Sequence, residues 1–225
     1  MNIFTFITAP VPPESDQQMN LWDMIVKGGW LMIPIFILSI IAVYIICERF
    51  TVIRKASVSP KVFTEKVFSY LQNGNKTAAL QECDTEDSPV SRMIKKGIHY
   101  SHIPTTELRI TMENTANKEI AALEKGLPAL ATIAGMAPMI GFLGTVVGMV
   151  QAFYDMSLAG NNINITLLSR GIYTAMITTV AGLIVGIIAY LAYNALVSRI
   201  DRIAADMENA SAEFIDSQYE TQNRK

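Results

Sequence analysis

Four threonines, Thr145, Thr174, Thr178 and Thr179, stand inside two long apolar stretches that contain no charged residue. The stretches are residues 127–153 and 171–197. Each exceeds the roughly 20 residues needed to cross a bilayer core as a helix. A hydroxyl at that depth has two outlets. It donates to a carbonyl of its own helix one turn back, or it faces protein or water, as polar groups in membranes usually do. Either serves for a single threonine. Several hydroxyls on two neighbouring spans suggest a polar lining that holds water or a passing ion.

The same stretches carry seams of small residues. Ala134, Pro138, Gly141, Thr145, Gly148 and Ala152 recur at steps of four and three, and so do Gly171, Ala175, Thr178, Gly182, Val185, Ala189 and Ala192. Each stretch also has a pair of glycines four apart, Gly144 with Gly148 and Gly182 with Gly186. Small seams let membrane helices approach closely, and packing rather than hydrophobicity holds such helices together. On glycines alone the seams are packing surfaces. The hydroxyls add the prospect of an ion path beside them.

Composition supplies the elements that position these residues. The chain has 225 residues, 51% of them hydrophobic, and a mean hydropathy of +0.30. A third charge-free block spans residues 28–47. Three apolar blocks of this length predict an all-α membrane protein with three transmembrane helices. A net charge of -2 without a basic stripe excludes bulk nucleic-acid binding. Cys47 and Cys83 stand in different regions with no CxxC pattern, so neither a disulfide nor a metal site is expected. His99 and His102 fall at a helix-to-turn boundary and read as exposed structural histidines.

Positive charge sets the orientation. Arg49, Arg54, Lys55 and Lys61 follow the first span, Lys118 and Lys125 precede the second, and Arg199 and Arg202 follow the third. The segment before the first span has only Lys27 against Glu14, Asp16 and Asp23, and the loop after the second has Asp155 and no Lys before Arg170. The positive-inside tendency therefore predicts N-out, C-in. The resulting plan has a periplasmic tail with an interfacial amphipathic helix (1–27) and a first span (28–50). A cytoplasmic helical insertion (51–126) and a second span (127–153) follow. A periplasmic loop (154–169), a third span (170–197) and a cytoplasmic C-terminal helix (198–225) complete it. Trp22 and Trp30 suit headgroup depth, and the proline-rich start lacks the basic region of a cleaved signal. Asp155 and Arg170 bracket the outer loop as an ion-entry rim, an intersubunit pair or simple interfacial charges. Glu48 and Arg49 read as anchors. The basic collar is suited to anionic lipid heads.

Within the insertion, apolar spacing predicts helices over 62–71, 77–83 and 88–101, with Asn73, Gly74 and Asn75 ending the first. From Glu107 onward no strong stop precedes Pro128 and Pro138, so one helix is expected from about 105 to about 158. Past the third span Ile200, Ile203, Ala204, Met207, Ala210 and Phe214 continue an amphipathic helix. Residues 51–126 offer no nucleophile–base set, phosphate loop or metal spacing, which argues against an enzyme. A non-conducting membrane scaffold explains the small seams but not the buried hydroxyls.

The run from Leu130 to Phe153, with Ala137-Pro138-Met139-Ile140-Gly141-Phe142-Leu143-Gly144-Thr145 at its heart, resembles the MotA/TolQ/ExbB proton channel family, its ExbB branch most closely. The resemblance resumes at Gly171-Ile172-Tyr173-Thr174-Ala175-Met176-Ile177-Thr178-Thr179-Val180-Ala181-Gly182-Leu183, with Tyr193-Asn194 beyond. It implies a motor subunit of the bacterial inner membrane that forms a homopentamer around an ExbD-like single-span partner. That partner supplies a membrane Asp, and a TonB-like protein carries the output to the outer membrane. Thr145 and Thr179 occupy the family's pore-threonine positions. Many members carry Glu where this chain has Thr174, so the proton-carrying carboxylate must come from the partner. The translocated ion is a proton, with sodium left open because hydroxyls and carbonyls are hard ligands for it. No cofactor is implied. TolQ-like and gliding- or flagellar-type stators are the other outputs within the family.

Overall fold

The computed structural model describes residues 29–57, 60–158 and 165–223; the side chains of 60, 61, 165–167, 170 and 220–223 lie outside that description. The interfacial helix expected before residue 28 and the middle of the 154–169 loop therefore fall outside it. Seven helices are described: α1 (Met32–Ala56), α2 (Pro60–Gln72), α3 (Lys76–Thr85), α4 (Pro89–His99), α5 (Thr105–Glu124), α6 (Leu127–Leu158) and α7 (Ile165–Asn223). No strand occurs among the described residues. Three helical stretches are long and apolar enough to cross a membrane, in α1, in α5–α6 and in α7. The chain is a multi-pass, all-α membrane protein.

From Met32 to Cys47 α1 is apolar on every side, as suits a lipid-embedded helix. It buries Met32, Ile35, Ala42 and Ile45 against α6 and α7 and exposes Ile33, Phe36, Ile37, Ile40 and Tyr44. α7 runs unbroken for 59 residues, about 88 Å at 1.5 Å per residue. It is at once the third span and the spine of a polar-faced helical head on one side of the membrane.

The head is assembled by local signals. Asn75 caps α3 by accepting from the Ala78 amide at 3.1 Å, after a turn through Gly74 at φ +74°. Ser88 and Ser91 cap α4 reciprocally, with Pro89 in the first turn. α4 then turns Val90, Met93, Ile94 and Ile98 inward against Leu108 and Met112 of α5 and Phe214 and Ile215 of α7. Phe68 of α2 meets Phe214 with ring centroids 6.4 Å apart. Surface ion pairs Arg92–Glu119 (2.7 Å) and Lys66–Glu82 (3.1 Å) tie neighbouring helices. The apolar core continues through Ile203, Ile200, Leu196, Leu130 and Leu127 into the membrane, so head and spans form one packed body.

Burial, with Asp84 beside it, pushes the Cys83 thiol in this core up to about 12 from 9.0. Unfolding returns it to the ordinary value. Its contribution to stability is thus complete below pH 9.0 and lost as pH rises from there toward 12. Thermal unfolding of the wild type is expected to fall more steeply over that window than that of Cys83→Ala. Parallel curves would refute this.

The expected helix from 105 to 158 is divided. α5 ends at Glu124 and α6 begins at Leu127, with Lys125 extended and Gly126 at φ +88°. The last carbonyls of α5 lack intrahelical donors, and Arg49 of α1 supplies one. Its Nη1 donates to the Ala122 carbonyl at 3.2 Å and its Nη2 pairs with Glu48 at 2.5 Å. Arg49 is buried at 7% exposure, and a guanidinium beside a helix C-terminus is favourably placed. Arg49→Met is expected to cost about 1–3 kcal/mol of stability by leaving this carbonyl without a donor, read as a lowered unfolding temperature. An unchanged temperature would remove Arg49 as the reason for the break.

Candidate functional site

α6 and α7 form an antiparallel membrane hairpin, the most extensive helix pair in the molecule. Its register can be read from what a Cβ on each glycine would meet. At Gly171 it would stand 2.5 Å from Ala152 Cβ, and at Gly148 2.8 Å from Ala175 Cβ. At Gly144 it would fall on Thr178, 2.7 Å from its Cβ, and at Gly141 it would lie 2.8 Å from the Thr178 carbonyl oxygen. At Gly182 it would overlap the Ala137 carbonyl oxygen and lie 3.0 Å from Gly141 Cα. At Gly186 it would meet Pro138 Cγ at 2.5 Å and the Ala134 carbonyl oxygen at 3.0 Å. Pro138 sits inside α6 and has no N–H for that Ala134 carbonyl. Gly186 leaves room for the ring and for the oxygen it frees.

This packing positions the four threonines differently. Thr178 is inside the hairpin at 2% exposure; its hydroxyl donates to Ala175 O at 2.7 Å, with Gly141 O at 3.4 Å. Thr179 is half-buried and donates across the helix pair to Gly141 O at 2.9 Å. Thr145 is half-buried and donates to Phe142 O on its own helix at 2.5 Å. The register brings Thr145 and Thr179 to one level on the two helices. Thr174 lies about one turn further along α7 and is half-buried.

The small seam differs from the sequence expectation at one point. Gly144, not Thr145, is buried against α7. Thr178 occupies the space directly over position 144, so Thr145 turns to the flank of the hairpin. The adjacent positions fit steps of three and four equally well, and only the partner helix decides between them.

The chemistry follows from how the hydroxyls are bonded. At Thr145 and Thr179 the hydrogen is committed to a backbone carbonyl. The oxygen keeps lone pairs for an incoming donor or cation. Two such acceptors, in spans without a charged group, present a surface for water, a protonated carboxyl or a hard cation. They cannot carry a proton by ionising. At the far end of α6, Asp155 accepts from Gln151 on the same helix at 2.9 Å; the side chain of Arg170 lies outside the description.

Residues 85–209, just over half of the chain, match the MotA/TolQ/ExbB proton channel family. The chain belongs to that family. The matched segment begins at the end of α3 and runs through the hairpin into the head portion of α7. The ExbB-like 1 biopolymer transport protein of Synechocystis sp. is 31% identical over 84% of this chain and 76% of its own. The biopolymer transport protein ExbB of Neisseria gonorrhoeae is 27% identical over 79% of this chain and 87% of its own. The Tol-Pal system protein TolQ of Haemophilus influenzae is 40% identical over a shorter stretch, 46% of this chain and 45% of its own. These similarities make the chain a membrane energy-coupling subunit of the MotA/TolQ/ExbB type.

Proposed function

We propose that the chain is the channel-forming motor subunit of an ExbB–ExbD–TonB-type complex in a bacterial inner membrane, with N-out, C-in topology. In this reading five copies surround the single span of an ExbD-like partner. That partner's membrane Asp takes up and releases an ion, a proton or sodium, opposite Thr145 and Thr179. The observation that carries the reading is the level pair of hydroxyls, their hydrogens held by carbonyls and their lone pairs available, on spans with no charge. A carboxyl facing this surface finds acceptors when protonated, and an oxygen-lined route when it exchanges its ion. Thr174, half-buried one turn further along α7, continues the lining, and Thr178 supports it from within the hairpin. Transmembrane potential drives the step with about 2.3 kcal/mol per charge per 100 mV.

The chain alone, with no carboxylate between residues 127 and 153 or between 171 and 197, is expected to conduct poorly. Liposomes holding only this chain should leak protons no faster than about twice the empty-vesicle rate, since a charge at the bilayer centre is costly without a carrier. Fast conduction without a partner would overturn the division of labour. The functional test is complementation. A strain lacking the chain is resupplied with it, and uptake of an iron chelate through the outer membrane is followed with and without a protonophore. Protonophore-sensitive uptake supports the TonB output. Failure with the protein assembled favours the second reading, a TolQ-type stator, to which the 40% identity over the shared stretch points.

A further inference from the structure

Where the head meets the ends of α1 and α7 there is a cleft of about 350 Å³. Ser57, Val90, Arg199, Arg202 and Asp206 line it. Its depth is fixed by the spans. The charge-free part of α7 ends at Val197, so Arg199 and Arg202 stand about 3 and 8 Å beyond it at 1.5 Å per residue. The Arg199 guanidinium lies 5.0 Å from the centroid of the Phe50 ring, three residues past the charge-free part of α1. A headgroup layer adds roughly 5–8 Å to each side of the hydrocarbon core, which is the layer these arginines occupy.

Among the described residues neither arginine has a carboxylate partner. Arg49, Lys66, Arg92 and Lys95 form all the ion pairs among the described residues, and neither Arg199 nor Arg202 is among them. Asp206 stands on the same lining, so the two guanidiniums exceed the acid by one charge. Guanidinium groups bind phosphate oxygens in fork geometry. The larger groove of about 620 Å³ between α5 and α7 has the opposite balance, with Glu113, Asp201 and Glu208 beside Arg109. It disfavours an anion.

We infer that the cleft binds the phosphate of a phospholipid from the leaflet on the head side. Arg199 and Arg202 hold the phosphate oxygens, and Asp206 accepts from the hydroxyl or ammonium group of the same headgroup. The lipid then bridges α1, α4 and α7 and fastens the head to the membrane surface. This does not depend on whether the hairpin conducts.

The test uses the full-length protein in its native assembly, stripped of lipid in detergent and titrated with dioleoylphosphatidylglycerol under native mass spectrometry. Saturable binding is expected, with Arg199→Gln/Arg202→Gln lowering occupancy about tenfold or more, the weight of one to two charge-assisted bonds. Arg202→Gln alone, which leaves the Arg199–Phe50 stack in place, is expected to lower it in the same direction. Arg109→Gln is the control and should bind as wild type. Dioleoylglycerol, with the same chains and no phosphate, should not bind, and millimolar inorganic phosphate should not compete. Wild-type binding by the double variant overturns the site. Binding of inorganic phosphate at the same arginines, without a requirement for acyl chains, overturns the lipid assignment in favour of a free phosphate.

Discussion

Cells whose only copy carries Thr145→Val together with Thr179→Val are expected to assemble the protein and lose ion-driven transport. Valine keeps the shape of threonine and removes only the oxygen. For the fold the loss is small. Thr145 bonds within its own helix, and the Thr179–Gly141 bond is of a kind that averages about 0.6 kcal/mol in membrane proteins. For an ion passing at the same level the loss is larger. A hydrogen bond to a charged or ionising group contributes about 1.5–3 kcal/mol, so two lost acceptors slow the step by a factor of about 10² or more. Serine at both positions restores the oxygen and should restore most transport. Thr178→Val is the contrast. That hydroxyl is buried within the hairpin against Ala175 O, a carbonyl of its own helix, so its loss leaves the ion path unchanged and transport within about twofold of wild type is expected. Full transport in the double valine variant, at equal assembled protein, would reduce Thr145 and Thr179 to packing residues.

What made this site legible in the sequence was the contrast between hydroxyls and glycines and charge-free surroundings. The spans and the amphipathic continuation of α7 were legible for the same reason. Each is announced by residues within a few positions of it. The break between α5 and α6 was not. Pro128, in the first turn of α6, is tolerated inside a membrane helix and so does not by itself mark the break, and the group that caps Ala122 is Arg49, 73 residues earlier in the chain. Gly126 alone looks like any glycine within an apolar helix until its φ of +88° is known. Likewise the steps of three and four put Thr145 on the seam, and Thr178 on the opposite helix gives the buried position to Gly144 instead. The cleft at Arg199 and Arg202 gave only a basic collar, because sequence shows the charges and not the lack of partners for them.

Gly182→Val is expected to be among the most damaging single changes in the chain, for a reason that separates it from glycines facing only side chains. A Cβ there overlaps the Ala137 carbonyl oxygen and crowds Gly141 Cα. Both are backbone atoms in the middle of α6, so relief requires the two helices to separate. Overpacking where side chains can adjust typically costs about 1–3 kcal/mol; here separation also removes the Thr179–Gly141 bond and the close packing on which a membrane hairpin depends. Failure to accumulate in the membrane, or rapid proteolysis, is the expected result. Gly144→Ala meets a different obstacle, the Thr178 side chain. Thr178→Ala removes the Oγ1 part of that clash and leaves the Cβ contact at 2.7 Å, so the double variant is expected to be more stable than Gly144→Ala alone but less stable than wild type. No side-chain replacement on α6 is expected to rescue Gly182→Val. Gly135→Ala, whose new methyl meets nothing within 4 Å, should behave as wild type or gain up to about 1 kcal/mol from helix propensity. Unfolding in detergent and steady-state protein levels check all of these together. Equal tolerance of Gly182→Val and Gly135→Ala would mean that α6 and α7 do not approach as closely as the register requires, and the level pairing of Thr145 with Thr179 would go with it.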